Sequence, residues 1–199
     1  MKFLKSLLAG MFIGLGGTAF LISNNPFMFT IGIFLVFNFN ALLITGYIPL
    51  ATYKNQLSIK YIFKIGFGNL IGAHCFGVLI NYSRIINNIE PIADNLIKTK
   101  CNDNLISIFI MSILCAVLIG YGVIGASKNK RYISKIVALL FPTYIFVVCG
   151  FEHMVANIFY ISISTNSLIN SISFLGTSII GNIVGGILIG LIQRYIEKQ

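Results

Sequence analysis

The chain has 199 residues, of which 57% are hydrophobic and only 10% charged. Its mean hydropathy is +0.91. Soluble domains carry roughly 25% charged residues, so a water-soluble globule is excluded. The net charge of +9 would suit a nucleic-acid partner, but the basic residues lie in short stretches between long apolar runs. That pattern points to a membrane and to no nucleic-acid partner.

The apolar runs predict six membrane-crossing helices, near residues 6–23, 27–51, 61–82, 104–126, 132–163 and 172–193. About 20 apolar residues suffice for one crossing. Stretches such as LISIFIMSILCAVLIGYGVIG are apolar on every side, unlike the alternating strands of a membrane barrel. The chain therefore reads as an all-α integral membrane protein.

The first run, MKFLKSLLAGMFIGLGGTAFLIS, starts like a secretory leader, but no small-residue cleavage site follows. It reads as the first span. The second run is longer than a crossing needs and carries Asn38, Asn40, Thr45, Gly46 and Pro49 near its middle. The third holds GNLIGA (68–73) and then His74. That histidine stands in an unbroken span without polar company, so an interhelical hydrogen bond is expected of it. Residues 54–64 and 83–103 read as short amphipathic loops. Glu90, Asp94 and Asp103 balance Lys98 and Lys100 in the second of them, and spacing alone favours a solvated loop over an anion-attracting vestibule.

The fifth run contains GFEHMVANIF (150–159), which places Glu152, His153 and Asn157 inside an apolar stretch. An ionisable group at mid-membrane costs about 2.5–3.5 kcal/mol on translocon scales and is usually functional. His153 escapes most of that cost by staying neutral, and it can then donate one hydrogen bond or release a proton to an entering anion. Adjacent residues on a helix point about 100° apart, so Glu152 and His153 cannot share a face. His153 is the pore candidate. Glu152 is expected to hold backbone N–H groups freed at a helix junction.

GNLIGA recurs as GNIVGG (181–186) in the sixth run, and IGLG (13–16) echoes as IGYG (119–122). Two three-span units must be inverted relative to each other, an arrangement common in transporters and channels. The halves fall near 1–95 and 96–199 within one transmembrane domain, 1–199. The GNxxG elements suit close helix packing. The 113-residue offset between them puts Asn40 opposite His153. Both the second and fifth spans are thus expected to be broken helices, the best sequence pointer to a pore.

Eleven of the fourteen Lys and Arg residues fall on one side of this topology, and only Arg84, Lys98 and Lys100 on the other. The positive-inside rule places both termini in the cytoplasm. The four cysteines show no CxxC or Cys/His metal spacing, so neither metal nor disulfide is expected. No nucleophile triad, phosphate loop or zinc motif is present, which argues against an enzyme and against any cofactor. A non-conducting multi-pass subunit of a larger complex is the second reading.

GFEHMVANIF resembles the formate/nitrite transporter family, in which such a stretch marks the broken fifth helix. LLITGY, GNLIGA and TSIIGNIVGG extend the resemblance across nearly the whole chain. It implies a homopentamer with one aquaporin-like pore per protomer in the cell membrane, and passage of small monovalent anions as the acid or with a proton. It implies that His153 is the central pore histidine and that Thr45 lies in the loop breaking the second helix. Asn157 joins these two along the substrate path. Phe29, Ile33, Ile44 and Phe146 match constriction positions, and Lys100 matches the lysine of the outer vestibule, with Lys98 as its substitute. Asn40 and Glu152 are read as structural residues of the helix breaks. The chain departs from the family at Ile44, where Phe is frequent, at Leu42, where an acid is common, and around Met111 and Ser112, where a Cys-Asn pair is usual.

Overall fold

The computed structural model describes residues 1–165 and 171–199. In chain order the helices are α1 (Lys2–Ser23), α2 (Pro26–Asn38), α3 (Ile44–Tyr53), α4 (Ile59–Asn81), α5 (Ile86–Cys101), α6 (Leu105–Lys128), α7 (Tyr132–Val148), α8 (Met154–Ser162) and α9 (Ile172–Ile196). No strand occurs among the described residues. α1, α4, α6 and α9 are each long and apolar enough to cross a membrane. The second and fifth apolar runs are instead each split into two short helices, α2 with α3 and α7 with α8.

The two halves are built alike. α1 packs on α4 and α6 packs on α9 at glycine contacts. A Cβ on Gly72 would collide with the Leu7 carbonyl, and one on Gly185 with the Ile113 carbonyl. Only glycine allows these backbones to approach so closely. The GNxxG elements thus do pack helices, but their asparagines do more.

Asn69 and Asn182 are fully buried, and each uses its carboxamide three times. Asn69 Oδ1 accepts the Ile44 N–H at 2.7 Å, while its Nδ2 donates to the carbonyls of Ser6 at 2.6 Å and Leu42 at 2.8 Å. Asn182 Oδ1 accepts the Met154 N–H at 2.9 Å, and its Nδ2 donates to the carbonyls of Ser112 and Glu152, both at 2.8 Å. Backbone groups freed inside an apolar layer need partners. Two asparagines supply them, one for each broken helix.

Residues 83–103 differ from the expected loop, because α5 occupies most of them. Ile89, Ala93 and Ile97, spaced four apart, are fully buried, which is one face of an amphipathic helix. Its polar face fastens the chain after α8. The Asp94 carboxylate accepts hydrogen bonds from the Ser164 and Thr165 hydroxyls and from the Thr165 N–H.

Candidate functional site

Both breaks begin with the same backbone motif. Phe39, Asn40 and Ala41 donate their N–H groups to the carbonyls of Leu35, Phe37 and Val36. Cys149, Gly150 and Phe151 donate theirs to Ile145, Val147 and Phe146. This is a Schellman ending, in which the residue beyond the helix turns left-handed. Asn40 has φ 48° and Gly150 φ 67°. Glycine and asparagine are the residues that visit this region at least cost.

The motif corrects the register of the repeat. Asn40 corresponds to Gly150, and Leu43, not Asn40, corresponds to His153. α7 is one turn longer than α2, and the connection before α9 is longer than the one before α4. An offset taken from the GNxxG elements therefore slips at the breaks. Asn40 itself is exposed and does not face His153; its part is the helix turn.

Thr45 faces His153 instead. Leu43 and His153 are the N-cap residues of α3 and α8. The His153 ring caps its own helix, with Nδ1 accepting the Ala156 N–H at 3.2 Å. The neutral ring then carries its proton on Nε2, which points at Thr45 Oγ1, 3.0 Å away. Phe146 stacks on the imidazole with ring centroids 5.6 Å apart, and Phe29 meets Phe146 edge-on at 5.6 Å. All four side chains are buried.

Glu152 does not hold the freed backbone N–H groups, as the sequence suggested. Asn182 Oδ1 takes the Met154 N–H and His153 Nδ1 the Ala156 N–H, and the Glu152 carboxylate is used by side chains. Its Oε2 takes Lys100 Nζ at 2.6 Å and Asn157 Nδ2 at 3.0 Å. Asn157 Nδ2 also reaches Ser178 Oγ at 3.1 Å. A buried carboxylate is tolerable only when paired and hydrogen-bonded in this way. Lys98 is exposed and lies outside this cluster.

A cavity lies at each break. The one under Leu96 of α5, termed outer for that cover alone, has about 80 Å³ and is lined by Phe29, Lys100, Phe146, His153 and Asn157 among others. The other, termed inner by contrast, has about 330 Å³ and is lined by Ile33, Leu43, Tyr47, Lys135 and Thr143 among others. The two are mates through the repeat. Val36 stands for Phe146, Asn40 for Gly150, Leu43 for His153, Gly46 for Ala156, Tyr47 for Asn157 and Leu50 for Tyr160. Of the two, the outer cavity alone is lined by α5, which joins the two halves and is not repeated among the described residues. Phe29 and Ile33, on opposite cavities, are one turn of α2 apart, roughly 6 Å along the axis. The wall between the cavities is therefore thin.

Of the expected constriction residues, Phe29 and Phe146 line the outer cavity and Ile33 the inner one. Ile44 lines neither and faces Gly66 of α4, whereas its neighbour Leu43 lines the inner cavity. Sequence reasoning passed over Leu43, Ser178 and the two bridging asparagines. A polar residue repeated inside otherwise apolar spans, as in both GNxxG elements, is the signal that marks the latter. His74 makes the expected interhelical bond: its Nδ1 lies 2.8 Å from Ser162 Oγ.

The sequence model of a family described as Formate/nitrite transporter matches residues 1–196. The chain is 23% identical to the formate-nitrite transporter of Plasmodium falciparum, covering 98% of this chain and 77% of that protein. It is 26% identical to the formate channel FocB of Escherichia coli, covering 80% and 64%. To the uncharacterized transporter YrhG of Bacillus subtilis it is 31% identical, covering 83% and 68%. Its fold is similar to that of a solved pentameric formate channel with formate bound, with a TM-score of 0.84 at 20% identity, covering 100% of this chain and 97% of that one. A solved FNT family ion channel gives a TM-score of 0.80 at 20% identity, covering 98% and 88%.

Proposed function

Since the chain belongs to the formate/nitrite transporter family, we propose that it conducts small monovalent anions of the formate, nitrite or hydrosulfide class across the cytoplasmic membrane, as the protonated acid or together with a proton. The helices cross six times, with α2–α3 and α7–α8 each counted as one broken crossing. Both termini lie in the cytoplasm, where the basic residues gather, and five protomers assemble with one pore in each.

The observation that carries this reading is the His153–Thr45 pair, buried between two cavities that open at opposite breaks. A bare anion faces a steep desolvation cost at an apolar wall, and a neutral acid a far smaller one. The anion enters the outer cavity beside Lys100, whose charge is balanced by Glu152. As Phe29 and Phe146 displace its water, proton uptake becomes favourable for the anion itself. His153 Nε2–H exchanges its Thr45 partner for the cargo and supplies a hydrogen bond, while the proton the anion takes up comes from the water it entered with. Phe146, stacked on the ring, keeps the imidazole plane fixed while this happens. The neutral acid passes Ile33 and Leu43 and gives up its proton in the wider inner cavity.

The test is flux through the purified protein in liposomes, with formate, nitrite, hydrosulfide, acetate and lactate compared at two external pH values. Flux that rises as external pH falls, and is fastest for the smallest anions, is the expected outcome. No flux for any anion sinks the reading, and flux indifferent to pH sinks the proton-coupled form of it.

A further inference from the structure

α1 and α4 pack side by side, and their first turns gather three lysines around one phenol ring. Lys2 Nζ lies 3.9 Å from the centre of the Tyr61 ring, and Lys60 and Lys64 are near enough for their charges to act on the same phenol. Lys60, Phe63, Lys64 and Phe67 follow one another at helical spacing, and all four are exposed. α4 therefore presents one stripe that mixes cations with phenyl rings. The chain has five acidic residues, and none serves this stripe. Glu90 and Asp94 lie on α5 and Asp103 just beyond it, Glu152 pairs with Lys100, and Glu197 pairs with Lys128. Among the described residues no salt bridge reaches Lys2, Lys60 or Lys64. Like charges four apart on a helix repel, so a bound anion would relieve Lys60 and Lys64. The repeat shows that packing does not call for these lysines. Gly68 meets Ser6 as Gly181 meets Ser112, which sets Tyr61 against Phe174 and the three lysines against Ile108, Ser173 and Thr177. The aromatic ring recurs and the charges do not. The positive-inside rule accounts for basic residues on one side of a membrane, but not for three of them around one ring.

Where a membrane helix begins, the anions at hand are the phosphates of lipid headgroups, and acyl chains lie just beyond them. We propose that Lys2, Lys60 and Lys64 bind the phosphate headgroup of an anionic phospholipid, with Phe63 and Phe67 lying against its acyl chains. Charge complementarity selects the headgroup, because the stripe carries three cations and no acid. The order along α4 selects a lipid over a free phosphate, because Phe67 stands a turn beyond Lys64 in the direction of the apolar span. The Tyr61 ring face holds the Lys2 ammonium, so one of the three charges is in place before the lipid arrives. The site is separate from the pore, since none of these residues lines either cavity. It rests on the membrane reading of the chain and not on conduction.

Native mass spectrometry of the intact detergent-solubilised protein tests it. The probe is palmitoyl-oleoyl phosphatidylglycerol, and phosphatidylcholine with the same chains is the reference of no net charge. Phosphatidylglycerol should bind at least about tenfold tighter. Lys60→Gln combined with Lys64→Gln should lower its affinity about twentyfold, at roughly fivefold for each lysine near a membrane surface. Lys60→Arg with Lys64→Arg should retain the lipid. Lys130→Gln, which removes an exposed charge elsewhere, should leave binding unchanged, and glycerol phosphate at the lipid's concentration should not displace it. Equal affinity of the Lys60→Gln/Lys64→Gln protein and the parent overturns the proposal. So does an equal loss with Lys130→Gln, the sign of a general charge effect, or displacement by glycerol phosphate, the sign of a free-phosphate site. A double variant that loses its oligomeric mass would assign the stripe to a contact between copies of this chain and overturn the lipid reading. Absence of anion flux in liposomes, with lysine-dependent lipid binding intact, would count against the pore reading and not against this site.

Discussion

Thr45 and His153, from opposite halves of the chain, meet through a 3.0 Å contact that joins the start of α3 to the start of α8. The ring is held at both nitrogens, since Nδ1 caps its own helix. His153→Phe removes both bonds and the only titratable group of the pair. Flux at low external pH is expected to fall at least about a hundredfold, the lower range for losing a preorganised hydrogen-bond donor. Thr45→Val should cost less, because the Ala156 cap still orients the ring. Full pH-dependent flux in His153→Phe liposomes would rule out the role.

Asn182→Ala leaves the Met154 N–H and the carbonyls of Ser112 and Glu152 without their partner. A stability loss of about 2–4 kcal/mol is expected from buried groups left unsatisfied. It should appear as a lower thermal midpoint in detergent. Asn182→Asp keeps the acceptor and lacks the donor, so it should rescue little. Asn69→Ala should behave alike at the first break, and an unchanged midpoint in both would refute the bridging role.

Breaking the Lys100–Glu152 pair from one side strands a buried charge, at about 3–5 kcal/mol. Lys100→Met and Glu152→Gln should each destabilise strongly. The double variant should recover part of the loss, because neither charge then remains unpaired. A double-mutant cycle on thermal stability measures the coupling, and strict additivity would contradict it.

A side chain at Gly150 would meet nothing within 4 Å, so only its backbone, with φ 67°, restricts the position. Gly150→Asn should be tolerated, since Asn40 fills the matching place with φ 48°. Gly150→Val should cost about 1–2 kcal/mol, the left-handed penalty of a side chain bearing Cβ. Equal stability of the two variants would disprove the argument.

For Asp94, burial pushes the carboxyl up, but hydrogen bonds from Ser164 and Thr165 outweigh it and hold the group below the usual carboxylate range. A carboxylate depressed on folding gives stability that is complete above its unfolded value, about 3.9, and is lost as pH falls through the folded value. Amide-exchange protection of α5 should therefore stay constant from neutral pH down to about 4. Asp94→Asn should reduce it across that whole interval. A loss of protection beginning near pH 6 in the parent protein would refute the assignment.

The breaks were legible from sequence because a polar residue deep in an overlong apolar run is costly unless the helix is interrupted there. GFEHMVANIF and NALLITGYIPLA both announced them. The register between the halves was not legible, since α7 outgrows α2 by a turn and the link before α9 is longer. Neither length change leaves a mark in composition. α5 was hidden for a different reason. Its charged residues outweigh the i, i+4, i+8 signal of Ile89, Ala93 and Ile97, and burial of that face depends on helices far away in sequence. Leu43 was unreadable as a wall residue beside Ile44, because which of two neighbouring aliphatic side chains turns toward a cavity is decided by the cap of α3 and not by residue type.

α5 covers one cavity and leaves its mate uncovered. Cargo arriving from the α5 side meets a cavity of about 80 Å³ before it reaches the imidazole, whereas cargo from the other side enters one of about 330 Å³ at the break. A passive conductor cannot convert such asymmetry into accumulation, because forward and backward passage share one reversible route. The asymmetry surfaces only in kinetics. Equal and opposite gradients should drive unequal initial rates, and trimming α5 should make the pore more even-handed without moving its final equilibrium.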